Sequence, residues 1–395
     1  YDVTKYDKES ICNLVEMYQR SLEQIINHCM EQVEETKTAS DYGMFPVSSE
    51  ELAIIKNMYY EQDIEKILLL TSMQKGMLYH KFMAENSSVY VLQNAFHVHK
   101  DVNTEWWKQS TELLMQKYEV FRMSFCYEGL SVPRQIVLTE RPCGMEYFDF
   151  SGYESAIQHE KIQELKEQEV KKKFDLQKDV LLRTILVRLS KEDTLVILST
   201  HHIIVDGWCN SLIYRDLISY YELLESGMSY TKLRQQVEQE KAKILSYGDY
   251  VTWLEEQDQE KGLSYWKTLL EDYQEIAQIR PYDKYIESVD AVGVVEEEIA
   301  TDVVESIQRV VANYGVTVST FLETAWGLVL QQYNRTNDVV FGKVVSGRNA
   351  RLHGIEETVG LFINTIPVRM QKEEQATTLE LLKKQQQHCQ TYHIS

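Results

Sequence analysis

The sequence predicts an α/β protein built from two layered lobes. Segments with the alternating pattern of strands and segments with the spacing of helices are mixed in both halves of the 395-residue chain. They show no fixed repeat of about 20 to 50 residues, which excludes a repeat architecture. The chain has only 16 glycines and 5 prolines, well below the usual combined share of about 12%, so regular elements should dominate.

The predicted elements of the first part begin with a helix at residues 10–30, where apolar side chains recur at helical spacing. Residues 31–49 are polar and lack periodicity, which predicts a linker. Further helices are predicted at residues 71–83, 105–117, 153–173, 211–225, 247–257 and 264–271. Strands are predicted at residues 90–99, 122–127, 131–138, 183–189 and 194–200.

The pattern restarts after Pro281. Apolar spacing predicts helices at residues 301–314 and 317–333 and strands at residues 291–299, 339–346 and 364–370. Neither a helix nor a strand is predicted in the stretch before Lys243, which is rich in Lys, Glu and Gln.

Composition excludes several classes of protein. With 61 acidic and 41 basic residues, the net charge of −20 argues against nucleic acid as a partner, because phosphate binding needs a basic surface. No apolar run approaches the length of about 18 residues that spans a bilayer, and the first residues lack a secretory signal. Six scattered cysteines without a CxxC pair predict neither a zinc site nor a disulfide framework. We therefore expect a cytoplasmic protein without a metal.

The strongest chemical signal lies at residues 201–207, with the sequence HHIIVDG. An apolar, β-branched strand ends directly in these residues, and a predicted helix follows. Because neighbouring strand residues face opposite sides, only one of His201 and His202 can face a cleft. Backbone N–H groups near Gly207 are expected to face a developing oxyanion, and Asp206 either orients a histidine ring or pairs with a distant arginine.

Two other interpretations of these residues remain open. Two adjacent histidines are commonly one core residue and one surface residue, and spacing alone favours this hypothesis. A metal site formed by a histidine and Asp206 is the weaker alternative, because no HExxH motif or cysteine cluster supports it.

Residues 201–207 match the HHxxxDG signature, and the chain thereby resembles the condensation domains of nonribosomal peptide synthetases. Four further motifs follow the family's order, and the resemblance covers about residues 63–395. They are LTSMQKGMLYH at residues 70–80, KYEVFRMSF at residues 117–125, YGDYVTW at residues 247–253 and VGLFINTIPVR at residues 359–369. The first has the form typical of domains that follow an epimerization domain.

The resemblance implies two chloramphenicol-acetyltransferase-like lobes that form a V-shaped pseudodimer with a tunnel between them. It implies that peptidyl and aminoacyl thioesters, carried on the phosphopantetheine arms of upstream and downstream carrier proteins, are joined by an amide bond. The domain itself would bind no cofactor. His202 and Gly207 are the predicted catalytic residues. The predicted supporting residues are His201, Asp206, Arg348, Arg122 and Asn364, and the predicted tunnel residues are Trp208, Cys209 and Ser346. Asp206 is expected to hold its loop through a charge pair, with Arg348 as the first candidate partner and Arg122 as the second.

The resemblance also divides the chain. Residues 1–30 resemble the end of an upstream epimerization-like domain, residues 31–62 an interdomain linker, residues 63–245 the N-terminal lobe and residues 246–395 the C-terminal lobe, whose closing motifs are missing. Epimerization and adenylation domains of the same synthetase are the expected neighbours. Donor peptides of D configuration are expected for the same reason.

Two rival functions remain. An epimerization domain shares the HHxxxDG motif but typically carries Glu-Gly-His-Gly-Arg where this chain has VSGRN at residues 345–349. A noncatalytic platform that only binds carrier proteins would not need His202 and Asp206.

Overall fold

The computed structural model describes residues 1–31, 37–83, 88–279, 295–373 and 375–392. The chain divides into two compact units, Tyr1–Glu61 and Gln62–Ser395. None of the helices in the described residues is long and apolar enough to cross a membrane. The same residues contain no group of three or more His, Cys, Asp or Glu side chains that could hold a metal ion.

The first unit contains two helices, α1 (Lys8–Glu31) and α2 (Ser49–Met58). Helix α1 agrees with the helix predicted at residues 10–30, and its apolar side chains, such as Leu14, are exposed. Helix α2 lies inside the segment that was predicted to be a linker. Its start is stabilised by a capping box, in which the Ser48 hydroxyl accepts from the Glu51 N–H and the Glu51 carboxylate accepts from the Ser48 N–H.

The second unit holds the remaining elements in chain order. Its helices are α3 (Ser72–Met83), α4 (Thr104–Lys117), α5 (Ser155–Lys171), α6 (Cys209–Glu225), α7 (Tyr230–Lys241), α8 (Tyr247–Glu255), α9 (Gln259–Leu270), α10 (Thr301–Tyr314), α11 (Val318–Asn334) and α12 (Thr378–Tyr392). Its strands are β1 (Ile64–Leu69), β2 (Val91–Val98), β3 (Met123–Cys126), β4 (Arg134–Leu138), β5 (Gly144–Asp149), β6 (Leu182–Ser190), β7 (Asp193–His201), β8 (Asp338–Val345) and β9 (Asn364–Gln371).

These strands form three sheets in the described residues. The orders are β1-β4-β3, β2-β7-β6-β5 and β8-β9, and all pairs are antiparallel except β5-β6. Helix α5 covers the four-stranded sheet through Ile162, which packs against Ile185 and Ile197. Helices α11 and α12 cover the two-stranded sheet through Leu330 and Leu381. Both layers bury apolar side chains between a sheet and helices, as an α/β fold requires.

Most predicted elements are present with slightly different ends, but five of the α-helices and strands in the described residues were not predicted. They are α2, α7, α12, β1 and β5. The strand predicted at residues 291–299 lies partly outside the described residues, and residues 295–299 have no regular structure.

Candidate functional site

The HHxxxDG turn connects the central strand β7 to helix α6. Strand β7 is paired on both sides, by β2 and β6, and every residue from Thr194 to His201 is buried. The turn is held to the residue that precedes β2, because the His202 N–H donates to the Tyr90 carbonyl at 2.8 Å. A rigid, fully paired strand therefore positions the two histidines.

His201 is a core residue. Its side chain is 9% exposed and packs edge-on against Phe174, and its Nδ1 accepts from the Ile203 N–H at 3.1 Å. Burial, assisted by the nearby charges of Lys81 and His202, lowers the pKa of His201 to about 3. The ring is therefore neutral at physiological pH and serves the fold as a hydrogen-bond acceptor.

The lowered pKa of His201 predicts a loss of stability in mild acid. The unfolded chain binds a proton near pH 6.5, whereas the folded chain resists it until about pH 3, so unfolding is favoured as pH falls through this window. Between pH 7.5 and pH 5.0 this contributes a loss of about 2 kcal/mol, which urea unfolding measures. His201→Asn keeps an acceptor near Nδ1 but cannot titrate, so its loss should be smaller by that amount. Equal losses in both proteins would contradict the assignment.

His202 differs from its neighbour in exposure and in hydrogen bonding. Its side chain is half-buried, and its Nδ1 is buried without a hydrogen-bond partner among the described residues. In the described part of the chain, neither ring nitrogen of His202 therefore forms a hydrogen bond with another side chain. This arrangement suits a group that interacts with a substrate.

Asp206 holds the end of the turn against the segment that precedes β9. Its carboxylate accepts from the Phe362 N–H at 3.0 Å and the Trp208 N–H at 3.1 Å, and Arg348 Nη2 lies 3.5 Å from Oδ1. The side chains of Asp206 and Arg348 are 1% and 4% exposed. The predicted pairing of these two residues is thus present as a buried ion pair.

Arg348 connects the turn to a short helix at Ile355–Glu357. Its Nη1 donates to the Ile355 carbonyl at 2.6 Å and to the Thr358 carbonyl at 2.8 Å. Its guanidinium also lies over the ring of Phe362, 4.1 Å from the centroid. One arginine therefore joins three stretches of chain that are far apart in sequence.

Cys209 does not line a channel, contrary to the prediction for this residue. It is fully buried, its thiol donates to the Gly360 carbonyl at 3.1 Å, and burial raises its pKa to about 12. Trp208 is exposed, and its Nε1 donates to the Glu356 carbonyl at 3.2 Å. Cys209 thus stabilises the turn, while the Trp208 ring remains accessible.

The other predicted residues lie in two places. Ser346 and Asn364 are exposed near the adjoining ends of β8 and β9, where Ser346 Oγ accepts from the Arg348 N–H and Asn364 Oδ1 accepts from the Thr365 N–H.

Arg122 is buried and pairs with Glu65 at 2.5 Å, and it also donates to the Leu138 carbonyl. It therefore stabilises the β1-β4-β3 sheet and is not the partner of Asp206 that we considered as an alternative to Arg348.

Motif residues around this site pack tightly. The Tyr247 hydroxyl donates to the Leu361 carbonyl at 3.0 Å, and its ring packs edge-on against Phe362. A side chain at Gly360 would overlap the Tyr247 ring, and Gly347 has φ +66° with the Phe362 carbonyl where a Cβ would lie. Both glycines are needed for close backbone approach.

Sequence reasoning missed Gln74, which contacts the turn from helix α3. Gln74 is fully buried, and its Nε2 donates to the Ile203 carbonyl at 3.0 Å and to Gln135 Oε1 at 2.8 Å. The available signal was the position of Gln74 on the same helical face as the buried residues Met77 and Leu78. A polar amide on an apolar helix face needs a buried partner.

A family model described as "Condensation domain" matches residues 64–393. The chain is 35% identical to bacitracin synthase 1 of Bacillus licheniformis over 389 residues, which is 98% of this chain and 7% of that protein. It is also 37% identical to bacitracin synthase 3 of the same organism over 389 residues, 98% of this chain and 6% of that protein. The chain thus spans a small part of these relatives.

Solved structures support the fold. The first condensation domain of the calcium-dependent antibiotic synthetase, in complex with a substrate analogue, aligns with a TM-score of 0.61 and 17% identity over 83% of this chain and 76% of that one. The epimerization domain from the third module of tyrocidine synthetase B aligns with a TM-score of 0.65 and 20% identity over 84% of this chain and 72% of that one. These likenesses confirm the predicted fold class.

Proposed function

Because the chain belongs to the condensation-domain family, we propose that it forms an amide bond between two carrier-bound thioesters. The amine of an acceptor aminoacyl thioester attacks the carbonyl carbon of a donor peptidyl thioester. The C–N bond forms, the C–S bond breaks, and the proton lost by the amine balances the proton gained by the departing thiol. The observation that carries this proposal is a half-buried His202 held on a locked turn beside the buried Asp206–Arg348 pair.

His202 would orient the acceptor amine and handle its proton. With Nδ1 buried, Nε2 is the ring nitrogen assigned to the substrate. Such proton handling typically accelerates a reaction by about 10²- to 10⁴-fold. The locked turn supports this role, because a fixed base needs no reorganisation when the substrates arrive.

The Gly207 N–H is the amide that we assign to the developing oxyanion. The next two amides are already used, since Trp208 donates to the Asp206 carboxylate and Cys209 donates to the Asp206 carbonyl, both at 3.1 Å. Gly207 itself is exposed, and a Cβ at this position would meet no described atom within 4 Å. The open side of Gly207 is where we place the substrate.

Gly207→Ala is expected to lower amide formation without loss of stability. Gly207 is not among the described glycines with positive φ, so alanine fits the backbone, and melting should be unchanged or slightly raised. The added methyl group would displace the reacting carbonyl, which we expect to slow the reaction by about 10- to 100-fold. Thermal melting and a single-turnover assay check the two halves of this prediction.

Gly360→Ala is the matched control for this substitution. Here the added methyl would overlap the ring of Tyr247, so this variant should melt well below the wild-type protein. Wild-type rates for Gly207→Ala would contradict the assignment of the substrate to its open side.

The partners follow from the proposed reaction. Upstream and downstream carrier proteins would deliver both substrates on phosphopantetheine, so the domain would need no cofactor of its own. We further propose a D-configured donor, neighbouring epimerization and adenylation domains, and a cytoplasmic location.

Residues 1–30 would belong to the end of an upstream epimerization-like domain, residues 31–62 to the linker, and residues 63–245 and 246–395 to the two lobes. The start of the family match at residue 64, next to the proposed start of the N-terminal lobe, supports this division.

An assay with separately loaded carrier proteins tests the function. The wild-type chain is mixed with a peptidyl donor carrier, of D or L configuration, and an aminoacyl acceptor carrier, and the acceptor-bound product is detected by mass spectrometry. Amide formation with preference for the D donor is expected. Carrier binding without amide would favour the noncatalytic platform, and inversion at the donor Cα without amide would favour an epimerization domain.

A further inference from the structure

A buried pair of glutamines connects the HHxxxDG turn to the neighbouring β1-β4-β3 sheet. Gln74 Nε2 donates to the Ile203 carbonyl at 3.0 Å and to Gln135 Oε1 at 2.8 Å. Gln135 Nε2 in turn donates to the Leu69 carbonyl at 2.6 Å. Both side chains are fully buried, and the two bonds donated by Gln74 lie in a low-dielectric interior where losing them is costly.

The orientation of the Gln74 amide is dictated by its neighbours. Its Oε1 accepts from the Thr71 N–H at 2.9 Å, while both Nε2 hydrogens are used by the Ile203 carbonyl and Gln135. A flipped amide would bring NH₂ against the Thr71 N–H and oxygen against the Ile203 carbonyl. Both contacts would be repulsive, so only one orientation satisfies the site.

The Ile203 carbonyl is important because its peptide, which joins Ile203 to Ile204, lies one residue after the reactive histidine. On the preceding side, the His202 N–H is held by the Tyr90 carbonyl. On the following side, Ile203 is held twice, by its N–H to His201 Nδ1 and by its carbonyl to Gln74. The backbone of His202 is therefore fixed at both ends, and Gln74 supplies the contact from outside the turn and its sheet.

We propose that Gln74 is a positioning residue for the amide-forming reaction, which acts by fixing the peptide between Ile203 and Ile204, one residue after His202. This inference rests on the proposed function. Releasing the Ile203 carbonyl leaves this peptide with the Ile204 N–H bond to the His201 carbonyl, at 3.2 Å, as its remaining hydrogen bond among the described residues. The backbone at Ile203 can then shift, which moves the imidazole of His202 relative to the acceptor amine. A misplacement of about 1 Å costs about 10²-fold in rate.

Gln74→Leu and Gln135→Leu form a matched pair of variants. Each replaces one buried amide with an apolar side chain of similar size and leaves a backbone carbonyl without its side-chain donor. Gln74→Leu also leaves the Thr71 N–H without its acceptor, so we expect both variants to lose stability in urea unfolding and Gln74→Leu to lose more. Only Gln74→Leu releases the Ile203 carbonyl. In Gln135→Leu, Gln74 keeps its bonds to Thr71 and Ile203.

The rate at saturating carrier proteins should fall by about 10²-fold in Gln74→Leu, with unchanged KM for both carriers, while Gln135→Leu keeps a rate close to that of the wild-type protein. Equal rate losses in the two variants would show that activity follows stability alone, and wild-type rates in both would show that the Ile203 contact is unimportant. Either result would overturn the proposal.

A second measurement does not depend on catalysis. In the full chain labelled with ¹³C at histidine Cε1, the His202 resonance is assigned by its absence in His202→Ala. We expect Gln74→Leu to shift or broaden this resonance, and Gln135→Leu to leave it unchanged. An unaltered His202 resonance in Gln74→Leu would reject the positioning role, whereas a wild-type chain that forms no amide would reject the proposed function and leave this comparison valid.

Discussion

His202→Ala is expected to reduce amide formation by about 10²- to 10⁴-fold, the usual contribution of a positioned acid–base group. The protein should still fold, because His202 Nδ1 forms no hydrogen bond with any described residue. The His202 N–H bond to the Tyr90 carbonyl involves only backbone atoms and is kept in the variant. Single-turnover rates with loaded carriers and thermal melting measure the two effects.

His201→Ala is the control, and it should show the opposite behaviour. It removes a buried ring from contact with Phe174 and leaves the Ile203 N–H without its acceptor, so we expect a loss of stability of about 2 to 5 kcal/mol. A His202→Ala protein with wild-type single-turnover activity would show that His202 neither moves a proton nor orients the amine.

The histidine turn was predictable because all its information is local. Residues 194–200 form an apolar run that only a buried strand accommodates, and the switch to helical spacing after Gly207 marks the start of α6. Both faces of β7 are buried, so the two histidines differ in burial because His201 is the last residue of the strand and His202 lies in the turn that follows it.

The helices and strands that were not predicted have residues with weak helical spacing or weak alternation. Helix α7 buries only Leu233 and Val237, four residues apart, within a polar segment, so its stability comes from packing against α4 and α6. Strand β1 has a register shift between Ile64 and Lys66, which breaks its alternation. Strand β5 lies at the edge of its sheet and is largely exposed.

The glutamine contacts could not be predicted because they join residues that are distant in sequence. Gln74 lies 61 residues from Gln135 and 129 residues from Ile203. A sequence pattern shows that Gln74 lies on a buried helix face, but it does not show which acceptor the amide meets. The pairing of Asp206 with Arg348 spans 142 residues and was predictable only through the family resemblance, which supplied both positions.

Asp206→Ala is expected to destabilise the protein by about 3 to 5 kcal/mol, because breaking a buried ion pair leaves an uncompensated charge. Arg348 would remain buried beside Phe362 without its carboxylate, and the N–H groups of Phe362 and Trp208 would lose their acceptor. Urea unfolding of the variant measures the loss. Asp206→Asn keeps the amide oxygen as an acceptor but not the charge, so its loss should be smaller.

A double-mutant cycle with Arg348→Ala separates the ion pair from the other contacts of each residue. Arg348→Ala also frees the carbonyls of Ile355 and Thr358, so its own loss should be large. If the pair stabilises the turn, the double variant should lose less than the sum of the single losses, since the second substitution removes a charge that the first left unpaired. Asp206→Ala that melts like the wild-type protein yet forms no amide would instead assign Asp206 a direct part in the chemistry at His202.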